Sequence, residues 1–258
     1  LVSIIHIDDE YARRLASDFP CVTYSAREAE ATYRAADVEF DASGSRFTLV
    51  RDEAQLKASV ALPGLFNVAN ALAALATTIE LGVPAGQAVE ALARATGAPG
   101  RFEPVAAGQS FGVFVDYAHT PDAIENVLQA AATLPHNRVI SVVGAGGDRD
   151  RTKRPLMGAA AAEGSDVVIV TSDNPRSEEP ASIVDQVIAG ARSAAVANGV
   201  SVVGEVDRRS AIEFAIASAE PGDIVFIFGK GHEQGQEFAG GRKIPFDDAT
   251  VAREALTR

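Results

Sequence analysis

The chain has 258 residues, 47% hydrophobic and 22% charged, an ordinary globular composition with room for one large or two modest cores. Its formal net charge is −12 and no run of Lys or Arg exceeds two, which argues against a nucleic-acid or anionic-membrane surface. A single cysteine, Cys21, excludes an intrachain disulfide and suits a reducing cytoplasmic setting, and its apolar context reads as structural.

No apolar run approaches the ~20 residues of a membrane span, and the start shows no signal-peptide pattern. Leu1 opens directly into a strand-like run without an initiator methionine, so the expectation is a fragment beginning partway through a domain.

Residues 1–7 are strand-like. Asp8-Asp9-Glu10 supplies acids at the start of a short helix carrying Tyr11, Leu15 and Phe19. Short β-type runs follow at 22–24, 38–40 and 47–50, and Asp41-Ala42-Ser43-Gly44 reads as a hairpin connection. An alanine-rich helix then runs over about 71–81 from the lead-in Pro63–Asn70, Gly82 and Pro84 end it, and a second helix covers 85–95. Asn67 and Asn70, three apart, share one face of the first turn. Two side-chain amides there suit the edge of a nucleotide base, and ordinary capping by Asn67 is the structural alternative. Pro99-Gly100 marks the domain boundary, giving units of 1–98 and 99–258.

The second unit repeats in βα steps. Apolar runs at 111–115, 139–143, 167–170, 202–203 and 224–228 alternate with helical patterns at 120–133, 155–164, 180–197 and 207–219. That alternation predicts an α/β fold, a Rossmann-like, mostly parallel sheet covered on both faces. Four polar clusters come directly after strands: Asp116–His119, Gly144–Arg149, Asp173–Arg176 and Gly229–Glu233. In a parallel sheet they share the carboxyl edge, where ligands bind.

The clusters divide by chemistry. Thr120-Pro121 is a helix start, Asp116 suits ribose hydroxyls, and His119 is a loop imidazole with capping or packing as its alternative. Asn174-Pro175 fixes a turn that holds Arg176 on a stiff loop. Its alternative is a solvated turn in which Arg176 pairs with Glu178 or Glu179. Arg149 and Arg176 as cations and Glu233 as anion match a zwitterionic amino acid with a carboxylate at each end, against the alternative of a structural Arg–Glu pair. Gly144-Ala145-Gly146-Gly147 is not the dinucleotide fingerprint, because Arg149 stands at the third glycine position, and this disfavours a Rossmann oxidoreductase. Gly229-Lys230-Gly231 resembles a phosphate loop only in composition, and no GxxxxGK[ST] stretch occurs.

Gly64–Asn70, Gly100–Glu103, Val115–Pro121, Gly146–Asp150 and Gly229–Glu233 together resemble the Mur ligases over essentially the whole chain. Asp173-Asn174-Pro175-Arg176 is similar to the motif of members that add meso-diaminopimelate rather than lysine. The resemblance implies part of an α/β ATPase-type central domain followed by the Rossmann-like domain. It implies an ATP- and Mg2+-dependent amide ligase of peptidoglycan precursor synthesis, acting through an acyl phosphate on UDP-MurNAc-L-Ala-D-Glu. It places Asn67, Asn70, Arg101, Asp116 and His119 at ATP, and Arg149, Asp173, Asn174, Pro175, Arg176, Gly229 and Glu233 at diaminopimelate. The family's UDP-binding domain, phosphate loop, magnesium ligands and carbamylated lysine are expected upstream of Leu1, so the chain alone is expected to be inactive. A non-catalytic amino-acid-binding module is the other reading.

Overall fold

The structure, a computed structural model, describes residues 2–27, 30–41 and 44–258, with the backbone alone at 197 and 198. Contacts divide the chain into two compact units, with the break between Gly97 and Ala98.

The first unit runs β1 (Ile4–His6), α1 (Glu10–Asp18), β2 (Val22–Ser25), β3 (Tyr33–Asp41), β4 (Gly44–Arg51), β5 (Ala54–Val60), α2 (Leu65–Glu80) and α3 (Ala85–Ala93). Its five strands lie in sequence order, parallel from β1 to β3 and antiparallel from β3 to β5. The antiparallel pairing of β3 with β4 fits the expected hairpin, although Ala42 and Ser43 of its turn lie outside the described residues. Val68, Leu72 and Leu75 of α2 pack on Tyr33, Phe47 and Leu49, which is the helical period meeting the strand period. Strand β5 escapes the sequence reading because Ala-Gln-Leu-Lys-Ala-Ser-Val is poor in β-branched and aromatic residues, and pairing with β4 decides its state.

The second unit contains β6 (Glu103–Pro104), β7 (Gly112–Asp116), α4 (Pro121–Ala131), β8 (Val139–Ala145), α5 (Lys153–Glu163), β9 (Val167–Ser172), α6 (Pro180–Asn198), β10 (Ser201–Gly204), α7 (Arg208–Ser218), β11 (Ile224–Phe228), β12 (Gln236–Phe238), β13 (Arg242–Ile244) and α8 (Asp248–Leu256). Its main sheet has the order β10-β9-β8-β11-β7-β6, parallel except for the short edge strand β6. Strands β8, β9 and β10 progress outward, and β11 then returns to the other side of β8. That reversal is a topological switch point, and the loops leaving β8 and β11 flank it at the carboxyl edge.

The strands are apolar on both faces because both are covered. Ile212 and Ile216 of α7 and Val251 of α8 pack on Val113, Ile140, Ile169 and Val225. Phe114, Phe226 and Phe102 form a second, aromatic cluster with centroids 4.8–5.5 Å apart. The antiparallel pair β12–β13 and helix α8 follow the last central strand and were not foreseen from sequence.

Candidate functional site

Three of the four polar loops lock together at the carboxyl edge. Buried strand β9 delivers Asp173 and Asn174, each 7% exposed. The Asn174 Oδ1 accepts from Lys230 Nζ at 2.9 Å and from the Glu237 backbone N–H at 2.9 Å, while its Nδ2 donates to Glu233 Oε2 at 2.8 Å. An ammonium and a backbone amide are donors only, so the orientation of this amide is fixed by its partners.

Arg176 follows Pro175 with a left-handed backbone, φ 50°. Its backbone N–H donates to the Glu237 carbonyl at 3.0 Å, its Nε to Glu237 Oε2 at 3.2 Å and its Nη1 to the Gly147 carbonyl at 2.8 Å. Nη2 has no hydrogen-bond partner among the described residues. The alternative of a pairing with Glu178 or Glu179 does not occur: Arg176 pairs with Glu237, on a strand 61 residues away in sequence, so a structural Arg–Glu pair is present and engages Nε.

Glu178 serves the neighbouring loop instead. Arg154, completely buried, reaches both Glu178 oxygens at 2.7 and 3.0 Å and donates to the Gly146 carbonyl at 3.3 Å. The Arg154 hydrogen bond and the Asp148 backbone N–H hold the Glu178 carboxyl down at about 2. Asp148 in turn accepts from the Ser177 hydroxyl at 2.6 Å and the Ser177 N–H at 3.2 Å. Through these contacts the loop after β8 is fixed to the loop after β9.

Arg149 is exposed and, among the described residues, donates only to the Asp148 carbonyl, at 3.1 Å. Gly146 lies between the two arginines: a Cβ there would sit 3.1 Å from Arg176 Nη1 and 3.7 Å from Arg149 Cγ. Gly229 lies against Asp173, since a Cβ would meet Asp173 Oδ2 at 2.5 Å, and its φ of 113° also favours glycine. The Asp173 carboxylate takes no hydrogen bond among the described residues. Burial works to raise the Glu233 carboxyl, but the Asn174 hydrogen bond and the Lys230 charge outweigh it and hold it below the ordinary range. Arg149, Asp173, Asn174, Pro175, Arg176, Gly229 and Glu233 thus lie on adjoining loops of one rim. Lys230, Glu237 and Arg154 complete the rim and were missed. Lys230 lies in a glycine-rich stretch that resembles a phosphate loop only in composition, and Glu237 carries no local signal.

The loop after β7 forms a different surface. The Arg101 guanidinium lies over the Tyr117 ring at 4.7 Å, and the rings of His119 and His232 flank Tyr117 at 4.7 and 5.4 Å. His119 Nδ1 sits 2.8 Å from the Tyr117 carbonyl, and Thr120 is the N-cap of α4 with Pro121 at its first position. Asp116 is buried. Its two carboxylate oxygens accept the Phe102 and Ala118 backbone N–H groups at 2.7 and 2.8 Å. Burial raises its carboxyl, and those two bonds act against the rise.

In the first unit, Gly64 is the N-cap of α2, so capping by Asn67 is corrected. Asn67 lies inside the first turn, buried, and donates from Nδ2 to the Pro63 carbonyl at 2.9 Å. Asn70 is exposed one turn later. Among the described residues no group of three or more His, Cys, Asp or Glu is placed to hold a metal ion.

The wound sheet carries a half-free guanidinium, an oriented amide and an anionic carboxylate at its switch point, the position and chemistry of a candidate site for a small charged ligand in an α/β domain. Residues 100–231 match the Mur ligase glutamate ligase domain and residues 1–78 the Mur ligase middle domain. The chain belongs to the Mur ligase family.

It is 45% identical over 256 residues to the UDP-N-acetylmuramoyl-L-alanyl-D-glutamate--2,6-diaminopimelate ligase of Syntrophomonas wolfei, covering 98% of this chain and 51% of that one. It is 44% identical over 261 residues to the enzyme of the same name from Streptomyces coelicolor, covering 100% and 51%. A solved structure of a ligase of that name superimposes with a TM-score of 0.70 at 38% identity, covering 99% of this chain and 53% of that one. The fold is shared with the Thermotoga maritima UDP-N-acetylmuramate-alanine ligase, TM-score 0.67 at 20% identity over 100% of this chain and 51% of that one. The chain spans about half the length of the curated relatives it matches.

Proposed function

We propose that this chain carries the amino-acid site and part of the nucleotide site of an ATP-dependent amide ligase that joins meso-diaminopimelate to UDP-MurNAc-L-Ala-D-Glu. The reaction belongs to cytoplasmic peptidoglycan precursor synthesis. The observation that carries the reading is the rim itself. Arg176 Nη2 is available for a carboxylate, and Glu233 keeps an anionic oxygen for an ammonium, with Asn174 between them.

In such a ligase ATP phosphorylates the γ-carboxylate of D-Glu. The amine of the amino acid attacks that acyl carbon, the C–N bond forms, and the C–O bond to phosphate breaks. The rim contributes by holding the amine in place, which is catalysis by positioning. Arg101, Tyr117 and His119 offer a cation and ring faces suited to a nucleoside, with Asp116 beside them. Asn67 and Asn70 are proposed as nucleotide contacts of the first unit. Magnesium, which the resemblance implies, finds no cluster of three acidic, His or Cys side chains among the described residues.

Calorimetric titration with meso-diaminopimelate and with lysine tests the reading. Lysine lacks the second carboxylate and leaves Arg176 without its ligand. A site built for a polar group rejects an analogue lacking it by about 10⁴ when fully buried, so for partly exposed Arg176 roughly 10²-fold weaker lysine binding is expected. Equal affinities remove the specificity argument.

A further inference from the structure

Lys230 is completely buried, a costly place for an ammonium unless its charge is used. Its Nζ donates to Asn174 Oδ1 at 2.9 Å and lies 3.2 Å from Glu233 Oε2. The same Glu233 oxygen accepts Asn174 Nδ2 at 2.8 Å, and the same Asn174 oxygen accepts the Glu237 N–H at 2.9 Å. A flipped Asn174 amide would set Nδ2 against two donors and its oxygen against a carboxylate.

We infer that Lys230 is a positioning residue of the amino-acid site: behind the rim, it fixes the Asn174 amide with Nδ2 toward Glu233 and sets a cation against the Glu233 carboxylate, which fixes the polarity that the ligand's ammonium and carboxylate meet. The part of this inference that concerns the ligand rests on the proposed function. Lys230 makes no contact with solvent, so it acts through Asn174 and Glu233 and not on the ligand itself.

Among the described residues three cations face Glu233: Lys230 from its own loop, Arg176 from the loop after β9, and Arg208 from the start of α7. The acids in the same network are Asp173, Asp248 and Glu237. Lys230→Met keeps an unbranched side chain one atom shorter and removes one of those cations together with both hydrogen bonds. Charge-assisted hydrogen bonds contribute enough that an affinity loss of roughly 10- to 100-fold is expected.

The test has two arms on the 258-residue chain. In the first, carbon-detected NMR follows the Glu233 carboxyl titration without ligand. The wild type titrates below ordinary glutamate, and Lys230→Met moves the midpoint upward. In the second, calorimetry measures meso-diaminopimelate affinity for the wild type, Lys230→Met, Glu233→Gln and the double variant. Because Lys230 acts through Asn174 and Glu233, the loss in the double variant should fall well short of the product of the two single losses.

An unmoved Glu233 midpoint, or losses that multiply in the double variant, overturns the inference. A wild-type chain that binds no diaminopimelate overturns the proposed function, and the carboxyl titration then decides the role of Lys230 by itself. Should Lys230→Met not fold, Lys230→Gln keeps a donor without the charge, and the same two measurements apply.

Discussion

Glu237 grips Arg176 at both ends: its carbonyl accepts the Arg176 backbone N–H at 3.0 Å and its carboxylate the guanidinium Nε at 3.2 Å. With Nη1 committed to the Gly147 carbonyl, the guanidinium is aimed before any ligand arrives. Lysine has the same charge but one nitrogen, which does not reproduce three directed contacts. Arg176→Lys is therefore expected to lose diaminopimelate affinity nearly as far as Arg176→Ala, about 10²-fold, with nucleotide affinity unchanged. Calorimetry with each ligand separates the two sites, and a parallel fall in nucleotide affinity contradicts the division.

Glu178 ties acid stability to the rim. Its folded carboxyl is held at about 2 by Arg154 and the Asp148 N–H, while an unfolded glutamate titrates near ~4.3. A depressed carboxylate contributes stability that is whole above the unfolded value and is lost as pH falls toward the folded one. Urea melts of the wild type should weaken between about pH 4.5 and 2. Glu178→Gln should be less stable at pH 7 and lose less over that window. An unchanged pH slope would show that the Arg154–Glu178 pair contributes nothing.

Gly229 tests the close approach to Asp173. Gly229→Ala places a methyl against Asp173 Oδ2 and forces a left-handed backbone on a residue with a Cβ, so it should cost about 1–3 kcal/mol of stability. Because Asp173 must shift, diaminopimelate affinity falls with it. Chemical denaturation and calorimetry on the same sample check both effects.

Arg208 and Asp248 form a completely buried pair at 2.6 Å, and Arg208 also donates to the Phe228 and Ser172 carbonyls at the ends of β11 and β9. Removing one partner leaves an uncompensated buried charge, so Asp248→Ala should destabilise by about 3–5 kcal/mol. Replacing both by apolar residues of similar volume is expected to recover most of that loss. Equilibrium denaturation of the single and double variants measures the difference.

Much of the rim was legible because parallel topology turns sequence position into place. A polar cluster directly after each of β7, β8, β9 and β11 must fall at one edge, and it does. What escaped was held by long-range contacts. Glu237 and Gln236 lie on β12, whose pairing with β13 follows no local signal, and they reach back to Asn174 and Asp173. Arg154 sits in a helical pattern where an exposed cation is the ordinary expectation, yet it is completely buried because Glu178 and Gln186 receive it. Asp116 was read toward ribose, and the fold occupies both its oxygens with backbone N–H groups, a bond pattern invisible in a linear motif.

A crystal structure of this chain with meso-diaminopimelate bound is the most direct test of the rim as the amino-acid site. One ligand carboxylate is expected on Arg176 Nη2 and one ammonium on Glu233, with Asn174 Nδ2 toward Glu233. A ligand seated away from the β8, β9 and β11 loops, or one whose carboxylates both avoid Arg176, would contradict it.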